Sequence, residues 1–170
     1  MNRIIAIIAL IFALGAINFS IMTRENHIRD GELVLIKLAP VDPRSLMQGD
    51  YMALRFEMAD KIKTAHQLTE EALPNAVDGQ VIVSVDNNQV AHFQRLSDTQ
   101  PLNDDNKRIN YRIRNSQVKF ATNAFFFEEG QATLFEDAQY GGFKVNSKGE
   151  LLLVAMYNEK FAKIIAKDIE

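Results

Sequence analysis

Residues 4–22 read IIAIIALIFALGAINFSIM, from Ile4 to Met22, with no charged side chain and only Asn18 and Ser20 polar. The hydrocarbon core of a bilayer takes roughly 20 apolar residues at about 1.5 Å of rise each, so this run is long enough to cross it as a helix. It shows no amphipathic stripe of the kind a helix lying on a soluble core displays. Everything after Thr23 is mixed, charged and rich in turn residues. The expected organisation is a transmembrane anchor over residues 1–23, a linker over 24–31 and one folded domain over 32–170.

Two features at this end qualify the reading. Ala13-Leu14-Gly15-Ala16 resembles the small-residue cleavage site of a signal peptide. Ile17, Phe19, Ile21 and Met22 carry the apolar run past it, and a cut there would leave a hydrophobic tail on the mature chain, so retention is expected. The α-amino group and Arg3 precede the run, while Arg24 and Arg29 follow it together with Glu25, Asp30 and Glu32. The positive-inside bias, weakened by Arg24, places Met1 in the cytoplasm and the domain on the outer side.

Composition narrows the rest. At 170 residues the chain has room for one domain beyond the anchor, and 47% hydrophobic with 24% charged residues is the balance of a folded domain. The net charge of −3 comes with no block of Lys and Arg, which favours neither a nucleic-acid nor an anionic-lipid surface. Cysteine is absent, so there is neither disulfide nor thiolate chemistry. His27, His66 and His92 lie far apart without metal-ligand spacing and are expected as surface or linker residues. No metal and no cofactor is expected.

Beyond Gly31 the periodicity changes from that of a helix to that of strands. Glu32–Leu38, ELVLIKL, reads as a strand covered on both faces. Pro40 and Pro43 forbid regular structure in the following loop. Tyr51–Met58 alternates, with Met52, Leu54, Phe56 and Met58 on one side and Tyr51, Ala53, Arg55 and Glu57 on the other, as in a half-buried strand. Asp60–Leu73 reads as a helix ended by Pro74. Gln80–Val85 and Gln89–Leu96 flank Asp86-Asn87-Asn88 as a hairpin, in which asparagine is expected to take the left-handed backbone. Arg108–Arg114 and Gln117–Ala121 form a further pair, a short helix follows Gly130, Tyr140-Gly141-Gly142 reads as a turn, and Gly142–Val145 with Glu150–Tyr157 closes the domain as a hairpin. About seven strands and two or three short helices define a β-rich α+β class with one antiparallel-sheet domain behind the transmembrane helix.

Two constellations are candidates for function. The first is the loop Pro40–Tyr51, which gathers Asp42, Arg44, Gly49, Asp50 and Tyr51. Arg44 is suited to bind a carboxylate or phosphate through its guanidinium fork. The plainer alternative has Asp42 and Asp50 accepting hydrogen bonds from loop amides, with Arg44 paired to either. Ser45-Leu46-Met47-Gln48-Gly49-Asp50 invites comparison with the nucleophile region of signal peptidases. Aligned on Gly-Asp, the nucleophile falls on Val41, and the following strand offers Arg55 where a general base is needed, so that reading is rejected. The second constellation is Phe125-Phe126-Phe127, three consecutive rings that cannot all face one side of a strand. Either one ring is exposed as a partner surface or all three are buried where sheet passes to helix. The neighbouring Glu128 and Glu129 diverge in direction and read as solvated.

At Gly49-Asp50-Tyr51-Met52-Ala53-Leu54-Arg55-Phe56 the chain resembles the family named for its GDYXXLXY motif. Gly49, Asp50, Tyr51 and Leu54 match, and Phe56 stands where the motif has Tyr, keeping the ring without its hydroxyl. Val41–Ser45, Ala124–Gly130 and Tyr140-Gly141 look like the family as well. The resemblance implies a bacterial protein with an N-terminal membrane helix and an extracytoplasmic domain of uncharacterised role, often encoded beside polytopic membrane proteins. It carries over no catalytic residues. The expectation is therefore a single-pass inner-membrane protein with a periplasmic, non-enzymatic domain that binds a polytopic membrane protein. Asp42, Arg44, Gly49, Asp50, Tyr51, Phe125, Phe126 and Phe127 are the candidate contacts. The rival is a small-ligand-binding or hydrolytic domain using Asp42, Arg44, Asp50 and Tyr51.

Overall fold

The computed structural model of the chain describes residues 2–39, 51–66, 76–98, 102, 106–115 and 117–165. Its first element, α1 (Asn2–Asp30), is one 29-residue helix that continues unbroken through the charged residues expected as a linker. At 1.5 Å per residue it is roughly 44 Å long, against about 30 Å for a hydrocarbon core. The side chains of Ile4–Met22 are exposed all round the helix, as lipid-facing side chains would be. The last two turns of the helix are polar and charged.

Nine strands follow among the described residues: β1 (Glu32–Lys37), β2 (Tyr51–Ala53), β3 (Ala76–Val85), β4 (Ala91–Leu96), β5 (Asn106–Arg114), β6 (Gln117–Lys119), β7 (Ala124–Phe126), β8 (Tyr140–Val145) and β9 (Leu151–Tyr157). They form three antiparallel sheets, ordered β1-β8-β9, β2-β7 and β4-β3-β5-β6. A helix, α2 (Glu57–Ala65), and a 3-10 turn (Ala132–Phe135) accompany them among the described residues, so the β-rich α+β class holds. The sheets share one core. Val34, Leu35 and Ile36 of β1 are all buried, and Leu35 N–H donates to the Gln89 carbonyl at 2.7 Å, stitching β1 to the β3–β4 turn. Phe56 sits at the centre, its ring 5.6 Å from both Phe120 and Phe143 in edge-on contacts worth about 0.5–1.5 kcal/mol each beyond burial.

Several expectations are corrected. The strand read over Tyr51–Met58 stops at Ala53, and Glu57 starts α2. The alternation of burial survives because Leu54 and Phe56 continue inward in extended chain and Met58 is buried from the first turn of the helix. Glu57 and Asp60 in that turn suit the positive end of the helix dipole. Tyr140-Gly141-Gly142 is strand, not turn: Gly141 and Gly142 pair with β1 and β9 within β8, and position 142 needs glycine because a Cβ there would come within 2.4 Å of the Tyr157 ring. In the β3–β4 hairpin the left-handed residue is Gln89 at φ 65°, not an asparagine. His27 is not a surface residue but is buried, its Nε2 donating to the Lys144 carbonyl at 3.0 Å. Pro40–Asp50 and the stretch 67–75 that holds Pro74 lie outside the described residues.

Candidate functional site

The motif strand is held from both sides. Ala39 N–H donates to the Arg55 carbonyl at 2.8 Å and Leu54 N–H to the Asn123 carbonyl at 2.7 Å, so the end of β1 and the entry to β7 clamp it. In the β2–β7 ribbon Tyr51 lies opposite Phe126, Met52 opposite Phe125 and Ala53 opposite Ala124. Pleating then divides the three phenylalanines. Phe125 and Phe127 turn inward onto Phe135, at 5.0 Å edge-on and 5.3 Å stacked. Phe126 turns outward and is 73% exposed, its ring centroid 5.7 Å from that of Tyr51. Of the two arrangements open to this triplet, the chain takes the first: one ring is exposed, and the other two pack on Phe135.

Beside the ribbon lies a cleft of about 630 Å³, bounded by Ala53–Phe56 of the motif segment, Ala59, Asp60 and Lys63 of α2, and Asn115, Gln117, Val118 and Asn123. Arg55 is exposed and makes no ion pair among the described residues. The Asn123 Oδ1 atom is buried without a hydrogen-bond partner. The described lining carries the Arg55 and Lys63 cations, the Asp60 carboxylate and the side-chain amides of Asn115, Gln117 and Asn123. Among the described residues no three His, Cys, Asp or Glu side chains are placed to hold a metal ion.

The surrounding electrostatics are structural. Hydrogen bonding from Lys37, at 3.2 Å, with support from Lys61 at 3.3 Å, holds the Glu57 carboxyl below its usual range and fixes the start of α2. Burial pushes the Tyr111 hydroxyl up; it shares a 2.6 Å hydrogen bond with His66 Nε2 at the end of α2, against Gly79, where a Cβ would strike the ring.

Of the residues singled out from sequence, Tyr51 and Phe126 are brought together, Phe125 and Phe127 are committed to packing, and Asp42, Arg44, Gly49 and Asp50 lie outside the described residues. Sequence reasoning missed Asn115, Asn123 and Lys63, whose convergence with Arg55 is purely tertiary. Arg55 itself was legible as a charge on the open face of the alternating segment. The profile of the GDYXXLXY protein family matches residues 13–156, from within the apolar helix to near the end of β9, and the chain belongs to that family. No curated protein and no solved structure matches it.

Proposed function

We propose, taking membership of the GDYXXLXY family as the premise, that this membrane-anchored chain is a non-enzymatic accessory protein of the bacterial inner membrane. Its domain faces the periplasm and docks a polytopic membrane protein. The docking face comprises Tyr51 and Phe126, with the adjoining segment that carries Asp42, Arg44, Gly49 and Asp50. The observation that carries this reading is Phe126, a ring held 73% exposed against Tyr51 on a ribbon whose flanking rings are pinned to Phe135. Burying such a ring on a partner is worth about 1.5–3 kcal/mol, and the rigid ribbon beneath it lowers the ordering cost of binding.

The test is a photocrosslinking amino acid at position 126 of the full chain in native membranes, with exposed Lys160 as the control position. The reading expects a discrete adduct with a multi-span protein from position 126 and none from position 160. Adducts only between copies of this chain would replace the reading with self-association, and equal labelling from both positions would end it. A second reading has its own observation: Arg55 and Lys63 line the cleft beneath the motif segment, and Arg55 has no ion pair among the described residues, which favours a small anionic ligand there. Saturable binding abolished by Arg55→Gln, with adducts at position 126 unaffected, would favour it.

A further inference from the structure

We propose that the junction between the membrane helix and the domain is a binding cleft for the phosphate headgroup of an anionic phospholipid. The helix does not swing freely from the domain. Gly31 N–H donates to the His27 carbonyl at 3.0 Å, His27 donates to the Lys144 carbonyl, and Lys144 Nζ returns a hydrogen bond to the Gly31 carbonyl at 2.8 Å. A Cβ on Gly31 would lie 2.5 Å from the His27 carbonyl oxygen of the helix and 3.2 Å from Lys144 Cβ of β8, so a larger residue would crowd the joint from both sides. β1 departs from this joint and β8 returns to it, with Glu32 opposite Val145. The β8–β9 turn, residues 146–149, therefore continues past Glu32 to lie beside the helix. Asn110 N–H donates to the Gly149 carbonyl at 2.8 Å and binds β5 to the same turn.

The result is a cleft of about 910 Å³ between the last turns of α1 and these two domain segments. Its wall begins at Phe19 and Ser20, in the last apolar turns of α1, and rises through Thr23 and Arg24. That is the depth of the headgroup layer above the hydrocarbon core. The charges in it are unequally matched. Glu32 is paired with Lys107, Asp30 with Arg29 at 2.8 Å, and Glu150 accepts from Asn146 Nδ2 at 2.7 Å. Arg24, Arg108 and Lys148, which also line the cleft, have no ion pair among the described residues. Three cations without an ion pair among the described residues thus line one cleft with a single carboxylate, Glu150, that is held only by a neutral amide, in a chain whose net charge is −3. They come from α1, β5 and the β8–β9 turn, so the positive cluster that is absent from the sequence is assembled by folding. A lipid phosphate presented at this depth meets a guanidinium fork and two further cations. Each such cation at an anionic surface favours the lipid by about fivefold.

The experiment places the full chain in nanodiscs of mixed phosphatidylglycerol and phosphatidylcholine and measures the lipids retained on it by native mass spectrometry. The proposal expects the ratio of phosphatidylglycerol to phosphatidylcholine retained on the chain to exceed the bulk ratio by tenfold or more, weakening as salt rises. The triple variant Arg24→Gln, Arg108→Gln and Lys148→Gln should return to the bulk ratio. The control triple Lys61→Gln, Lys160→Gln and Lys163→Gln, at exposed positions elsewhere, should keep the enrichment. Should the first triple not fold, Lys148→Gln alone, in an exposed turn, should lower the enrichment about fivefold. No enrichment in the unmodified chain, or equal loss in both triples, overturns the proposal. Equal occupancy by inorganic phosphate in discs of phosphatidylcholine alone would assign the cleft to a soluble anion and overturn the lipid assignment. None of these outcomes depends on whether a protein partner docks at Phe126.

Discussion

Phe56 and Phe126 show how two phenylalanines in one small domain carry opposite duties. Phe56 replaces the tyrosine of its family's motif and is 3% exposed, wedged between Phe120 and Phe143. Phe56→Ala should lower stability by about 3–5 kcal/mol, because the neighbouring rings and the Gly141 backbone leave little room to collapse into the cavity. Phe126→Ser should change stability by no more than about 0.5 kcal/mol, since that ring is open to solvent. Thermal or denaturant unfolding of the two full-length variants in detergent distinguishes a packing role from a surface role. The role of Phe56 was legible in the sequence, because its place in the alternating run assigns it to the inner face. The role of Gly142 was not. A Gly-Gly pair reads as a turn, and the Tyr157 ring that demands glycine there belongs to a different strand, which no local pattern announces.

The β3–β4 hairpin shows the same division among elements. Its two strands follow from alternation, and its turn from Asp86-Asn87-Asn88, yet the conformation is set by the Asp86 carboxylate. Asp86 Oδ1 accepts from the Asn88 and Val90 amides at 2.9 Å each, and Oδ2 accepts from His92 Nε2 at 2.9 Å. Hydrogen bonding from His92, then from those amides, lowers the Asp86 carboxyl below its usual value. A carboxyl depressed in the folded state contributes stability that is present above its unfolded pKa and is lost as pH falls through the folded value. Asp86→Ala should therefore cost about 1 kcal/mol at neutral pH, a modest figure for a partly exposed group, and the difference from the unmodified chain should begin to shrink as pH falls below about 4 and disappear only below the depressed folded value. Melting temperature measured against pH on both chains checks the sign. The motif segment was harder to read than the hairpin. Strand and first helical turn bury the same alternate positions over so few residues, so the boundary between β2 and α2 rests on the clamps from Ala39 and Asn123, which are tertiary.

At the scale of the whole molecule, a single rigid helix and a single core have different legibility. The apolar run was legible outright as a helix long and apolar enough to cross a membrane, and the structure leaves it exposed on every side. The β-rich class followed from strand periodicity. What sequence did not disclose is the joint: His27 looked like a linker residue and is instead buried where α1 meets β8, because its partner Lys144 is remote along the chain. With that joint, the orientation of the helix in the membrane dictates where the domain works, and every functional proposal here presumes the outer side. The chain has no cysteine, which makes that presumption directly measurable. Lys160→Cys places one thiol at an exposed position beyond β9. In intact spheroplasts a membrane-impermeant maleimide should label it fully, and the labelled chain should sediment with membranes and keep its N-terminal helix. Labelling only after permeabilisation, or recovery of a shortened chain in the soluble fraction, would contradict the account.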